Sequence, residues 1–148
     1  MPEQPRRAMN PRGRLTPRRR LLIAIAAVAT SNVLPQESEY RVRVTFNESS
    51  ATRSFDDAIG GFEAVSYVVQ LRQGQSLVVS LASNNISNSF DIYAPNESKP
   101  VYIGGDSGNF HRLLAKTSGD YRVKVFLLRL AARDNQSAHY TLELKLAG

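Results

Sequence analysis

Through most of this chain apolar residues fall at every second position, in short runs broken by glycine, asparagine, serine and proline. That rhythm is the mark of strands with one buried face. After the turn signal Ser118-Gly119-Asp120, Tyr121, Val123, Val125 and Leu127 alternate with Arg122 and Lys124. Tyr140, Leu142, Leu144 and Leu146 alternate with Thr141, Glu143 and Lys145. Between the two runs lies a segment carrying Arg129 and Arg133, so the stretch reads as a long-looped hairpin. A working surface is expected on that loop, because rigid sheets usually carry function on their connections.

The same rhythm continues upstream. Val42, Val44 and Phe46 face inward on a strand over 41–46, and 50–55 reads as a second strand punctuated by Asp56-Asp57 and Gly60-Gly61. Tyr67, Val69 and Leu71, the turn Gln73-Gly74-Gln75, then Leu77, Val79 and Leu81 read as a hairpin. An Asn/Ser-rich turn over 83–89 precedes a strand with Phe90, Ile92 and Ala94, which ends at Pro95-Asn96-Glu97-Ser98. Short strands over 101–103 and 110–114 flank a glycine-rich turn over 104–109. No window past the leader shows helical periodicity and no internal repeat is evident. Together these segments predict an all-β chain, an antiparallel β-sandwich or jelly roll of about eight strands.

The first 29 residues read differently. Arg18-Arg19-Arg20 precedes the apolar run Leu21 to Ala29, and Ala27-Val28-Ala29 fits the small-x-small rule for cleavage after Ala29. This is the pattern of a cleaved signal helix. The run is well short of the roughly 20 residues that span a bilayer, so no membrane attachment is expected after cleavage. Ordinary secretion and twin-arginine export both fit, and Met9 is an alternative start. A flexible segment over 30–39 and one β-sandwich domain over 40–148 should follow.

The leader also accounts for the charge. It holds seven of the 19 basic residues and one of the 13 acidic ones, leaving twelve of each in the 119 residues that remain. The formal net charge of +6 therefore belongs to the leader, and nucleic-acid binding, which draws on clustered Lys and Arg, is rejected. A neutral mature chain has no long-range electrostatic steering toward a charged partner. With no cysteine there are no disulfides, no thiol nucleophile and no cysteine-ligated zinc.

The order of motifs then becomes informative. Gly61-Phe62-Glu63-Ala64-Val65-Ser66-Tyr67, Gln73-Gly74-Gln75-Ser76-Leu77, Phe90-Asp91-Ile92-Tyr93-Ala94-Pro95, Ser118-Gly119-Asp120-Tyr121-Arg122-Val123, Arg129-Leu130-Ala131-Ala132-Arg133 and Tyr140-Thr141-Leu142 resemble the bacterial periplasmic inhibitors of g-type lysozyme. Two of these motifs are shared with jelly-roll modules similar to the pre-peptidase C-terminal domain. The resemblance covers about residues 40–146. It implies a periplasmic or secreted β-sandwich that blocks the sugar-binding cleft of a lysozyme, its protein partner. It also implies that Arg129, Arg133, Tyr67 and Glu63 contact that partner.

Chemistry supports parts of this assignment. A guanidinium offers a planar bidentate donor to the carboxylates of such a cleft, and a tyrosine offers a stacking face. The alternation with Val69 and Leu71 makes the core the stronger reading of Tyr67, and a surface charge in a turn is the default reading of Glu63, with a contact role second. His111 and His139 lack metal-ligand spacing, no Gly-x-Ser-x-Gly elbow is present, and the carboxylates form no glycosidase pair. Gly104-Gly105-Asp106-Ser107-Gly108 lacks the features of a phosphate or calcium loop. No enzymatic activity, cofactor or metal is expected. The alternative function is a non-catalytic envelope module that binds glycan or a secreted protein.

Overall fold

A computed structural model describes residues 37–47 and 51–148. The expected signal peptide, and most of the expected flexible segment, lie outside the described residues. No helix among the described residues is long and apolar enough to cross a membrane.

Among the described residues nine strands form two sheets. They are β1 (Ser38–Val44), β2 (Thr52–Gly60), β3 (Glu63–Leu71), β4 (Ser76–Ser83), β5 (Asn88–Tyr93), β6 (Tyr102–Ile103), β7 (Phe110–Leu114), β8 (Gly119–Leu127) and β9 (Ser137–Ala147). One sheet runs β1-β3-β8-β5-β6 and the other β2-β9-β4-β7. Every pairing is antiparallel except β1 with β3. Among the described residues two single helical turns, α1 (Gly104–Ser107) and α2 (Arg129–Arg133), sit on connections.

The alternation assigns the faces as expected. Tyr67, Val69 and Leu71 from β3, with Tyr121, Val123 and Val125 from β8, are buried against Leu77, Val79, Leu142 and Leu144 of the other sheet. Two contacts join the layers at their centre: the Phe55 and Tyr67 rings lie 4.9 Å apart, and the Tyr67 and Tyr140 hydroxyls 2.9 Å. The hydroxyl pair lets two buried tyrosines keep polar tips inside an apolar layer.

Strand pairing differs from expectation in two places. The expected β3–β4 hairpin is an arch, since β3 lies between β1 and β8 while β4 lies between β9 and β7. The expected β8–β9 hairpin is likewise an arch between sheets. Both errors have one cause. A period-two pattern says which face of a strand is buried, and that face is the same whether the next strand pairs beside it or packs opposite it. In addition, Asp56-Asp57 does not end the second strand, which continues to Gly60. At the sheet edge these carboxylates stay near solvent, where Asp57 Oδ1 accepts from Ala58 N (2.8 Å) and Asp56 accepts from the Thr141 hydroxyl. Finally, β1 begins at Ser38.

Candidate functional site

The segment after β8 is organised by a stop and a cap. Leu127 is the last buried residue of the strand, Leu128 remains extended (φ −56°, ψ 148°), and the next five residues close one helical turn. Ala131 and Ala132 are buried, their methyls small enough to sit against the core, which directs Arg129, Leu130 and Arg133 outward. The turn ends in a Schellman motif: Asn135 N donates to Ala132 O and Gln136 N to Ala131 O, each at 3.0 Å. Asn135 takes the left-handed position of that motif (φ +54°), which asparagine tolerates better than most residues. Arg129 and Arg133 are four residues apart, so they share one side of the turn about 6 Å apart along its axis. Neither forms an ion pair among the described residues.

The connection from β2 to β3 docks against this cap. Gly61 N donates to Gln136 O at 2.8 Å, and Gly61 is itself left-handed (φ +57°). Glu63 accepts from Gly60 N through Oε1 at 3.2 Å, which holds its carboxylate at the mouth of the turn. Between the two connections lies an open cleft of about 490 Å3, with Gly61, Phe62 and Glu63 on one wall and Ala132, Arg133 and Asn135 on the other. A smaller hollow of about 220 Å3 adjoins it across Phe62, bordered by Asp91, Lys124 and Phe126. Burial pushes the Asp91 carboxyl above its usual range, against the opposing pull of the Gly104 N–H and Lys124.

Three of the four expected site residues therefore meet at one end of the sandwich: Arg129 and Arg133 on α2, and Glu63 across the cleft from Arg133. Tyr67 does not. It is 1% exposed in the middle of the core, so it has no face to offer a partner and acts on the packing between the sheets.

One neighbouring element was not among the expected candidates. The 84–87 connection lies beside α2, joined to it by Leu128 N donating to Ser87 O at 2.8 Å. Asn85 Nδ2 ties it further to Gln136 Oε1 and Ser137 O, each at 3.0 Å. Composition marked this segment only as a turn; the available signal was a lone isoleucine, Ile86, among polar residues.

The histidines serve other purposes. His111 stacks on Tyr102 with ring centres 4.1 Å apart, and burial lowers its pKa. His139 is exposed on β9, its backbone N donating to Asn84 Oδ1 at 2.9 Å. Among the described residues no group of three His, Cys, Asp or Glu side chains is placed to hold a metal ion.

No protein-family model matches the chain, and no curated protein matches it. Solved structures do share its fold. The periplasmic inhibitor of g-type lysozyme PliG from Aeromonas hydrophila superposes with a TM-score of 0.66 at 18% identity, covering 73% of this chain and 96% of that one. PliG from Salmonella Typhimurium gives 0.59 at 24% identity, over 72% and 97% of the two chains. A mutant of the Escherichia coli PliG gives 0.56 at 23%, over 74% and 99%. The chain has the β-sandwich fold of these proteins across nearly their whole length.

Proposed function

We propose that the protein is an exported, non-enzymatic inhibitor of lysozyme, acting in the periplasm or after secretion, with a g-type enzyme as its target. The observation that carries this reading is the pair Arg129 and Arg133, without an ion pair among the described residues, on a capped turn beside the Glu63 cleft at one end of a fold shared with g-type lysozyme inhibitors. In this reading the α2 turn enters the sugar-binding cleft of the lysozyme and the two guanidinium groups pair with its carboxylates. Glu63 meets polar groups at the rim. Because the mature chain is formally neutral, affinity comes from local complementarity more than from long-range attraction. The double variant Arg129→Ala/Arg133→Ala should raise the inhibition constant at least tenfold, about 1.4 kcal/mol, with an unchanged melting temperature. Equal inhibition by wild type and variant would refute the mechanism.

A second reading, an envelope module that binds glycan, draws on a groove of about 520 Å3 on the outer face of the five-stranded sheet. Arg41, Arg43, Arg122 and Tyr93 line it, with the Arg122 guanidinium 4.4 Å from the centre of the Tyr93 ring. Retention of the protein on purified peptidoglycan with no lysozyme present would favour that reading.

A further inference from the structure

Large apolar side chains stand in solvent at the same end of the sandwich as the arginine pair. Ile86 is 99% exposed, Leu130 74% and Leu128 36%. A scattered exposed apolar residue is ordinary. This group differs because it is concentrated on two joined connections and because those connections are held rigid. Ile86 sits at the apex of an Asx turn in which Asn85 Oδ1 accepts from Ser87 N at 2.9 Å and Asn85 O accepts from Asn88 N at 3.0 Å. The base of that turn is fastened to β9 by Asn84 N donating to His139 O (3.1 Å) and His139 N donating to Asn84 Oδ1 (2.9 Å). Leu128 in turn borders α1, its Cδ2 3.1 Å from where a Cβ on Gly105 would lie.

A fully exposed isoleucine on a rigid apex contributes nothing to the core. It can bind without the ordering cost a mobile loop would carry. Leu130 lies between Arg129 and Arg133 on a single helical turn, so a partner that engages both guanidinium groups meets Leu130 in the same approach.

We propose that Ile86 and Leu130 are the apolar anchors of the docking surface, filling an apolar hollow of the partner next to the carboxylates met by Arg129 and Arg133. The occupant is thus the cleft of a lysozyme-type protein in which acidic and apolar surface adjoin. This rests on the inhibitor reading and adds to it the residues that supply affinity without charge.

The test compares Ile86→Ser and Leu130→Ser with Leu114→Ser, a 57% exposed residue on β7 close to the opposite end. Each variant is titrated against g-type lysozyme at low and high salt, alongside its melting temperature and sedimentation. Ile86→Ser and Leu130→Ser should each weaken inhibition at least tenfold with melting unchanged, and Leu114→Ser should have no effect. The losses should persist at high salt, where those of the arginine variants shrink by screening. Full inhibition by both tip variants would overturn the anchor assignment and leave the inhibitor reading standing. So would a wild-type dimer that the tip variants split without loss of inhibition, since the occupant would then be a second copy of this chain. No inhibition by wild-type protein would overturn both.

Discussion

Gly61→Ala probes the link between backbone geometry and the candidate site. Gly61 holds φ +57°, and a Cβ there would lie 3.0 Å from Asn135 Oδ1, on the residue that caps α2 in its own left-handed conformation. The left-handed backbone alone costs alanine about 1–2 kcal/mol. Relieving the contact makes the Asn135 side chain give by a few tenths of an ångström, at the residue whose left-handed backbone closes the Schellman cap beside Arg133. Gly74→Ala is the matched comparison: φ is +92°, and no atom lies within 4 Å of the added Cβ. Both variants should lower the melting temperature by about 4–8 °C, from about 4 °C per kcal/mol for a domain near this size. Only Gly61→Ala should also weaken lysozyme inhibition, by about fivefold or more at a temperature where both variants are folded, since Gly74 lies on the far β3–β4 arch. Thermal melts and inhibition titrations on the two proteins decide the matter. If both inhibit like wild type, or if Gly61→Ala melts within about 1 °C of it, then the β2–β3 turn does not set the geometry of the arginine turn.

Three further outcomes follow from the packing and the charges. Leu144→Ala, in an interior strand at 0% exposure, should cost about 2–5 kcal/mol in urea unfolding; a cost under about 1 kcal/mol would mean the sheets are not closely packed there. His111 has a lowered folded pKa, so its contribution is present above the unfolded value near ~6.5 and is lost as pH falls through the folded value. His111→Phe, which keeps the ring against Tyr102, should therefore flatten stability between about pH 7 and 5, and an unchanged slope in thermal melts would contradict this. In Glu39, burial raises the pKa, but the Ser66 hydroxyl and the charges of Arg122, Lys124 and Arg41 outweigh it; the Arg43 hydrogen bonds lower that of Asp120. With both folded values depressed, stability is present above the unfolded pKa near ~4 and is lost as pH falls through the folded values. Glu39→Gln/Asp120→Asn should give a shallower loss of stability below about pH 4, and an identical acid limb would argue against these pairs.

The sequence revealed the layers more clearly than the neighbours. Tyr67, Val69 and Leu71 could be read as one inward face because burial requires the alternation. Nothing in that alternation says that β4 lies across the core from β3 instead of beside it, since both arrangements bury the same side chains. The arginine segment was legible as a connection between two strands, yet its helical form was not, because five residues are too few to display a 3.6-residue period. Tyr67 was readable as a core residue from its own strand, and its depth of burial removes it from the contact surface. Ile86 stayed hidden for a different reason. Whether one apolar residue in a polar turn folds inward or projects depends on hydrogen bonds to 136–139, far along the chain.

The central claim is most directly tested by a lysis assay of the purified protein against g-type, c-type and i-type lysozymes in parallel. Selective inhibition of the g-type enzyme at submicromolar concentration is the expected result. A folded protein that inhibits none of the three would contradict the account, and the resemblance would then be one of architecture alone.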